Sequence, residues 1–179
     1  VTAASKISMF IVCPFDSMGA TMATYGGQNA GGYKLDRLHK GLGSCIILGA
    51  VYSVIGLLII AAFGPHLLKL FVSGSETGIL ADAQHFLLIN GLFYFPLALV
   101  NIVRFMIQGM GFGFFAIIAG VLEMAARTLV GAVFVPIFGY NAACFASPLA
   151  WIFADCFLIP AYFVVWNRMK RHKEAYRQV

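Results

Sequence analysis

Three carboxylates stand where carboxylates are costly. Asp16, Glu123 and Asp155 each lie within a long apolar stretch. An acid inside a lipid-spanning helix must pair with a cation, take up a proton, or line a wet cavity. A group whose occupancy changes with access is what proton- or cation-coupled transport needs. The three acids are therefore candidates for a coupling or substrate-cation site. Each also has a plainer structural reading. Arg127 follows Glu123 by four residues on the same helix face, so the two can form an internal ion pair. Asp155 follows Trp151 by four and can simply bond a neighbouring helix. Asp16 has no cation nearby in sequence and stands two residues after Pro14.

The elements that must position these acids are membrane helices. Of 179 residues, 61% are hydrophobic and 11% charged, and the mean hydropathy is +0.88. A soluble domain of this length cannot hide that much apolar surface, so the expected fold class is an all-α membrane protein. A span needs about 20 apolar residues. Five stretches qualify, at about 5–28, 42–63, 84–108, 114–138 and 142–166, followed by a basic tail at 167–179. The second has no charged residue, nor has the core of the third, Phe86 to Val103. The first holds Asp16, Pro14 and several hydroxyls, and is expected to face the bundle interior rather than lipid. At a rise of about 1.5 Å per residue, Asp16, Glu123 and Asp155 lie about 18, 15 and 16 Å from the inner ends of their helices. In an apolar core about 30 Å thick, all three fall near the midplane.

Charge sets the expected orientation. Of twelve Lys and Arg, five (Arg168, Lys170, Arg171, Lys173, Arg177) cluster in the tail, and Lys34, Arg37 and Lys40 share the 31–40 connection. Cytoplasmic loops carry such excess, so both segments are expected inside, at the plasma membrane of a bacterial-style multi-pass protein. Counting crossings back from the tail places 139–141 outside, 109–113 inside, 64–82 outside and the N-terminus outside. A basic tail beside a span is a topology signal and a contact for anionic membrane lipid, so nucleic acid is not an expected partner. Pro65, Gly74 and Gly78 are expected to break the helix before 64–82, with Leu67 to Val72 able to lie at the interface. Trp166 is a plausible interface anchor.

Other residues add weaker signals. Pro14, Pro96, Pro148 and Pro160 lie well inside spans, and Pro136 near an outer end. Each removes a backbone donor and can kink its helix. Bent helices suit alternating access, although proline is common in membrane helices generally. Asn90, Tyr94, Asn101 and Gln108, at offsets of 4, 7 and 7, form one polar stripe that should face the bundle or a cavity. Gly27, Gln28, Asn29 and Gly31 close the first span. Gly27-x-x-x-Gly31 permits close helix packing and a tight turn, and matches no nucleotide-binding fingerprint. Cys13, Cys45, Cys144 and Cys156 form no C-x-x-C pair and read as small buried hydrophobes, without metal. His39, His66, His85 and His172 share no spacing. No catalytic triad, zinc motif or paired nucleophile and base is present, so neither an enzyme nor a cofactor is expected.

These segments resemble the multidrug and toxic compound extrusion (MATE) family. The resemblance rests on Gly26-Gly27-Gln28-Asn29-Ala30-Gly31, on Arg104-x-x-x-Gln108-Gly109-x-Gly111, on Gly120-x-x-Glu123-x-x-x-Arg127, and on Ala146-Ser147-Pro148-x-Ala150-Trp151-x-x-Ala154-Asp155. It implies a lobe of six helices, of which this chain is similar to the last five of the second lobe. The missing partner is then the N-terminal lobe of the same transporter. It also implies export of cationic or amphipathic compounds in exchange for Na+ or H+. Some members place coupling acids on helices seven and ten. Helix seven would lie upstream, and the helix matching ten has Asp82 only at its outer end. A related exporter or flippase of lipid-linked oligosaccharide would favour cations in the cavity, for which Arg104 and Arg127 are the candidates. A non-transporting membrane structural subunit is a further alternative.

Overall fold

The computed structural model describes residues 2–69 and 77–176. Gly74, Arg177 and the second half of Leu67 to Val72 lie outside them, as do the side chains of His172 and Lys173. The described chain is an all-α bundle. Its helices are α1 (Thr2–Gly31), α2 (Leu35–Lys69), α3 (Thr77–Leu92), α4 (Tyr94–Gly109), α5 (Gly113–Leu129), α6 (Val135–Phe138) and α7 (Tyr140–Tyr176), with a π-helical turn at Val130–Phe134 joining α5 to α6. Four spans are long and apolar enough to cross a membrane, and the bent pair α3–α4 makes a fifth.

Lipid exposure dictates the burial pattern. Along α2 the buried residues are Leu35, Leu38, Leu42, Cys45, Gly49, Ser53, Gly56, Ile60, Gly64 and Leu68. Their spacings of three and four trace one inward stripe. Ile47, Leu48, Val51, Val54 and Leu58 point outward and are exposed, as a lipid-facing surface requires. Of the cysteines expected inside, Cys45 and Cys144 are buried, but Cys13 and Cys156 are exposed. A small apolar thiol is as stable against lipid as against protein.

Proline breaks helices at fewer places than the sequence suggests. α1 runs through Pro14, α2 through Pro65, and α7 through both Pro148 and Pro160. The expected stop at Pro65 is therefore not observed: α2 continues to Lys69. Gly78 likewise stands within α3 rather than ending a helix. Next to Pro65, the Gln84 side-chain amide donates to the Ile60 carbonyl at 3.2 Å, and Gly64 leaves the space that Gln84 fills. Real discontinuities occur at two sites. The span from α3 to α4 bends by 51° at Phe93, three residues before Pro96. Pro96 then sits in the first turn of α4, where its missing N–H is harmless. The π-helical turn precedes Pro136, and the wider turn relieves the clash between the proline ring and the carbonyl four residues back.

Glycine sets the tightest packing, which is between α1 and α4. A Cβ on Gly109 would lie 2.0 Å from the Ala23 carbonyl oxygen. One on Gly26 would lie 3.0 Å from the Met106 carbonyl oxygen, and one on Gly27 3.1 Å from that of Gly109. The backbones thus touch without side chains between them. Gly31, expected to share this role with Gly27, meets nothing within 4 Å. It lies at the last residue of α1, where the chain has begun to leave α4. Beside this contact, Phe15 is fully buried and packs against Tyr52 and Tyr94, at ring separations of 5.1 and 5.8 Å.

The two ends of the bundle are distinct. Gly27, Ala30, Gly31, Tyr33, Gly109, Gly111, Phe112 and Met169 border one cavity of about 390 Å³. This gathers the 31–34 turn, the 109–113 turn and the start of the basic tail at one end. There Arg168 stacks over the Phe112 ring at 5.6 Å. At the other end the Tyr140 hydroxyl donates to the Asp82 carbonyl at 2.8 Å. Gly109→Ala is expected to cost about 1–3 kcal/mol, because a methyl group must push two helices apart. Gly31→Ala is expected to cost nothing measurable. Unfolding midpoints of the two variants in detergent would check both.

Candidate functional site: a buried charge cluster and an exposed carboxylate on one central helix

Helix α4 carries the polar residues around which the site is built. Asn101 and Arg104 stand three residues apart, one turn along it, and on adjacent faces. Asn101 faces α1, and its side-chain amide donates to Asp16 Oδ1 at 3.2 Å. Arg104 faces α5, where its guanidinium is paired with Glu123.

Glu123 is the hub of the second group. It is buried, with 11% of its side chain exposed. Its Oε2 takes Arg104 and its Oε1 accepts from Arg127 at 2.6 Å. The pair with Arg127 is the i,i+4 pair legible in the sequence. The pair with Arg104 is interhelical and was not. By rise alone, Glu123 lies about 15 Å above the start of α5, while Arg104 lies about 8 Å from the end of α4. The long arginine side chain closes that difference. An i,i+4 pattern cannot reveal a partner that arrives from an antiparallel neighbour. The only sequence signal was an arginine at the edge of an uncharged core.

Asp155 joins from α7. It is buried, and it interacts electrostatically with Arg104 and Glu123. Its Oδ1 and the Arg104 Nε are both buried with no hydrogen-bond partner. The cluster of Arg104, Glu123, Arg127 and Asp155 thus spans three helices, with both arginines on Glu123 and Asp155 in no ion pair among the described residues. Such an arrangement can change helix contacts when one carboxyl changes charge. Both guanidinium groups are engaged by Glu123, which leaves no uncommitted cation in the cluster for an anionic headgroup.

The other acid has a different setting. Asp16 is exposed in this chain. It shares its face of α1 with Cys13, Ser17, Ala20, Thr21 and Thr24, all exposed. The three hydroxyls donate to carbonyls four residues back, at 3.1, 2.9 and 3.3 Å. A polar, mid-span strip of α1 is therefore exposed beside its contact with α4, with Asp16 at the edge where Asn101 reaches it.

The polar stripe of the third span is divided. Tyr94 is fully buried, and Asn90 donates to the Phe86 carbonyl of its own helix at 2.9 Å. Asn101 serves Asp16, and Gln108 is exposed one residue before the end of α4. The offsets assumed one straight helix, and the bend at Phe93 falls between Asn90 and Tyr94. At the end of α1, Asn29 is buried and donates to the Tyr25 carbonyl at 2.9 Å, while Gln28 is exposed. Among the described residues no group of His, Cys, Asp and Glu is placed to hold a metal ion.

A bundle of long apolar helices with mid-helix acids and glycine-packed contacts defines a multi-pass helical membrane protein. Comparison with known proteins gives the family. The MatE family profile matches residues 1–140. The chain belongs to the MatE family. Its fold is similar to a solved structure of a multidrug resistance MATE family transporter of the MOP superfamily in an inward-facing conformation. The TM-score is 0.75 at 19% identity, over 96% of this chain and 39% of that one. No curated protein matches the sequence.

The geometry ranks the two arginines. Losing Arg104 removes the interhelical partner of buried Glu123 and leaves it only the half-exposed Arg127, so Arg104→Gln is expected to lower stability by about 2 kcal/mol. Arg127 is 44% exposed, and Arg127→Gln is expected to cost under about 1 kcal/mol. Denaturant unfolding of both variants would measure the difference, and equal losses would contradict this assignment of Arg104 as the interhelical partner.

Proposed function

We propose that this chain forms most of the second lobe of a secondary active transporter. That transporter exports cationic or amphipathic compounds by antiport with Na+ or H+. In this reading the basic tail and the 31–40 turn face the cytoplasm. The other lobe packs on, or shares a cleft with, the polar face of α1.

One observation carries the reading. Asp16 is a carboxylate midway along a membrane helix, exposed, and held by a single hydrogen bond from Asn101. Lipid cannot take that position, because an acid in hydrocarbon is unpaired and unsolvated. A polar cleft can, and a cleft bordered by an acid attracts cations. Asn101 keeps the carboxylate oriented without neutralising it. Glu123 then serves as the charge balance that ties α5 to α4, with Asp155 buried beside it on α7.

The test is transport of a cationic dye by vesicles holding the full-length protein. Export is expected under an imposed proton or sodium gradient, with at least a tenfold loss in Asp16→Asn. Asp16→Asn that transports at the parent rate would remove Asp16 from the mechanism. Absence of dye movement under both gradients would overturn the transport reading itself.

A further inference from the structure

A separate feature lies on the opposite side of α4 from α1. Helices α2 and α7 diverge there and leave an open trough of about 340 Å³ over α4. Its walls are His39, Leu42, Gly43 and Ile46 of α2 and Ile159, Tyr162 and Phe163 of α7, and its floor is Leu99 and Val103. Apart from His39 and the Tyr162 hydroxyl, these side chains are apolar. The volume falls in the range of ~300–1,000 Å³ typical of small-molecule sites. The space beside Gly43 is empty: a Cβ there would meet nothing within 4 Å.

The trough runs along α2. From His39 to Ile46 it descends about 10 Å into the span. Its mouth is at the basic end of the bundle. His39 Nδ1 lies 3.3 Å from the Tyr162 hydroxyl, and Trp166 packs on His39 at 5.2 Å between ring centres. Such an aromatic and histidine collar suits the headgroup level of a bilayer. Lys40 lies on the same face of α2 as Gly43, one turn nearer the mouth. Lys170 lies on the same face of α7 as Phe163, two turns nearer the mouth. Both lysines are exposed. Asp36 and Glu174 stand one turn away from them, yet neither lysine is in a salt bridge among the described residues.

We propose that this trough is a phospholipid site: one acyl chain lies against Gly43, Leu99 and Phe163, and the phosphate of an anionic headgroup is held by Lys40 and Lys170. An acyl chain fits an apolar groove open to lipid along its length. Two exposed cations at the mouth favour an anionic lipid over a zwitterionic one, and basic pockets between helices take such headgroups. The site is independent of the cleft on α1 and needs no transport substrate.

The test uses the purified full-length protein in mild detergent, titrated with phosphatidylglycerol or phosphatidylcholine and read by native mass spectrometry. One saturable phosphatidylglycerol is expected, bound in preference to phosphatidylcholine. Lys40→Gln with Lys170→Gln should weaken phosphatidylglycerol about 30-fold, about fivefold for each lysine, and leave phosphatidylcholine unchanged. These lysines are exposed, so folding is not at risk. Gly43→Leu should fill the trough and abolish retention of both lipids, whereas Gly43→Ala leaves it open and should retain them. Equal affinity for the two lipids in the parent protein, or unchanged phosphatidylglycerol binding in Gly43→Leu, would overturn the proposal.

Discussion

Contact between the backbones of α1 and α4 is the constraint on which the other features depend. At Gly109 and Ala23 no side chain separates the two helices. In lipid, hydrophobic burial gives helices little reason to associate, so close van der Waals packing has to supply it. With that contact formed, Asn101 is near enough to reach Asp16. The remaining faces of α4 are then available to α2, α5 and α7. α4 is accordingly the most completely buried helix, with Leu97, Ala98, Val100, Ile102, Val103, Met106 and Ile107 all inside.

Around this centre, charge is handled in two ways. Glu123 is enclosed with Arg104 and Arg127, so these ionised groups answer one another within the protein, and Asp155 is buried beside them. Asp16 receives one neutral amide and remains open on its outer side. A compensated cluster holds helices together, whereas an uncompensated acid calls for something from outside the chain. Placing both on adjacent faces of α4 means that movement of this helix affects the two together. The bend at Phe93 and the π-helical turn at Val130–Phe134 supply places where such movement costs few hydrogen bonds.

Much of the architecture was legible in the residues. Lipid selects long uncharged runs, and Leu42 to Phe63 is one because nothing else survives there. Gly111 and Gly139 mark two turns because both adopt the positive φ that other residues resist. Glu123 and Arg127 were a readable pair because helical geometry alone brings residues four apart together. Pro65 was misleading: in lipid a helix retains its remaining hydrogen bonds so strongly that α2 runs through it, as α1 and α7 run through Pro14, Pro148 and Pro160.

The sequence by itself determined that this protein is a bundle of membrane helices, with acids at mid-depth and a basic end. Those properties follow from composition and period, which act within one helix. Only the tertiary structure decided which acid is neutralised and which is left open. It alone brought Arg104 to Glu123, Asn101 to Asp16, and His39 to Tyr162. Each of these pairs joins two helices, and their partnership is set by how closely glycine allows those helices to approach. Local sequence rules contain no term for that distance.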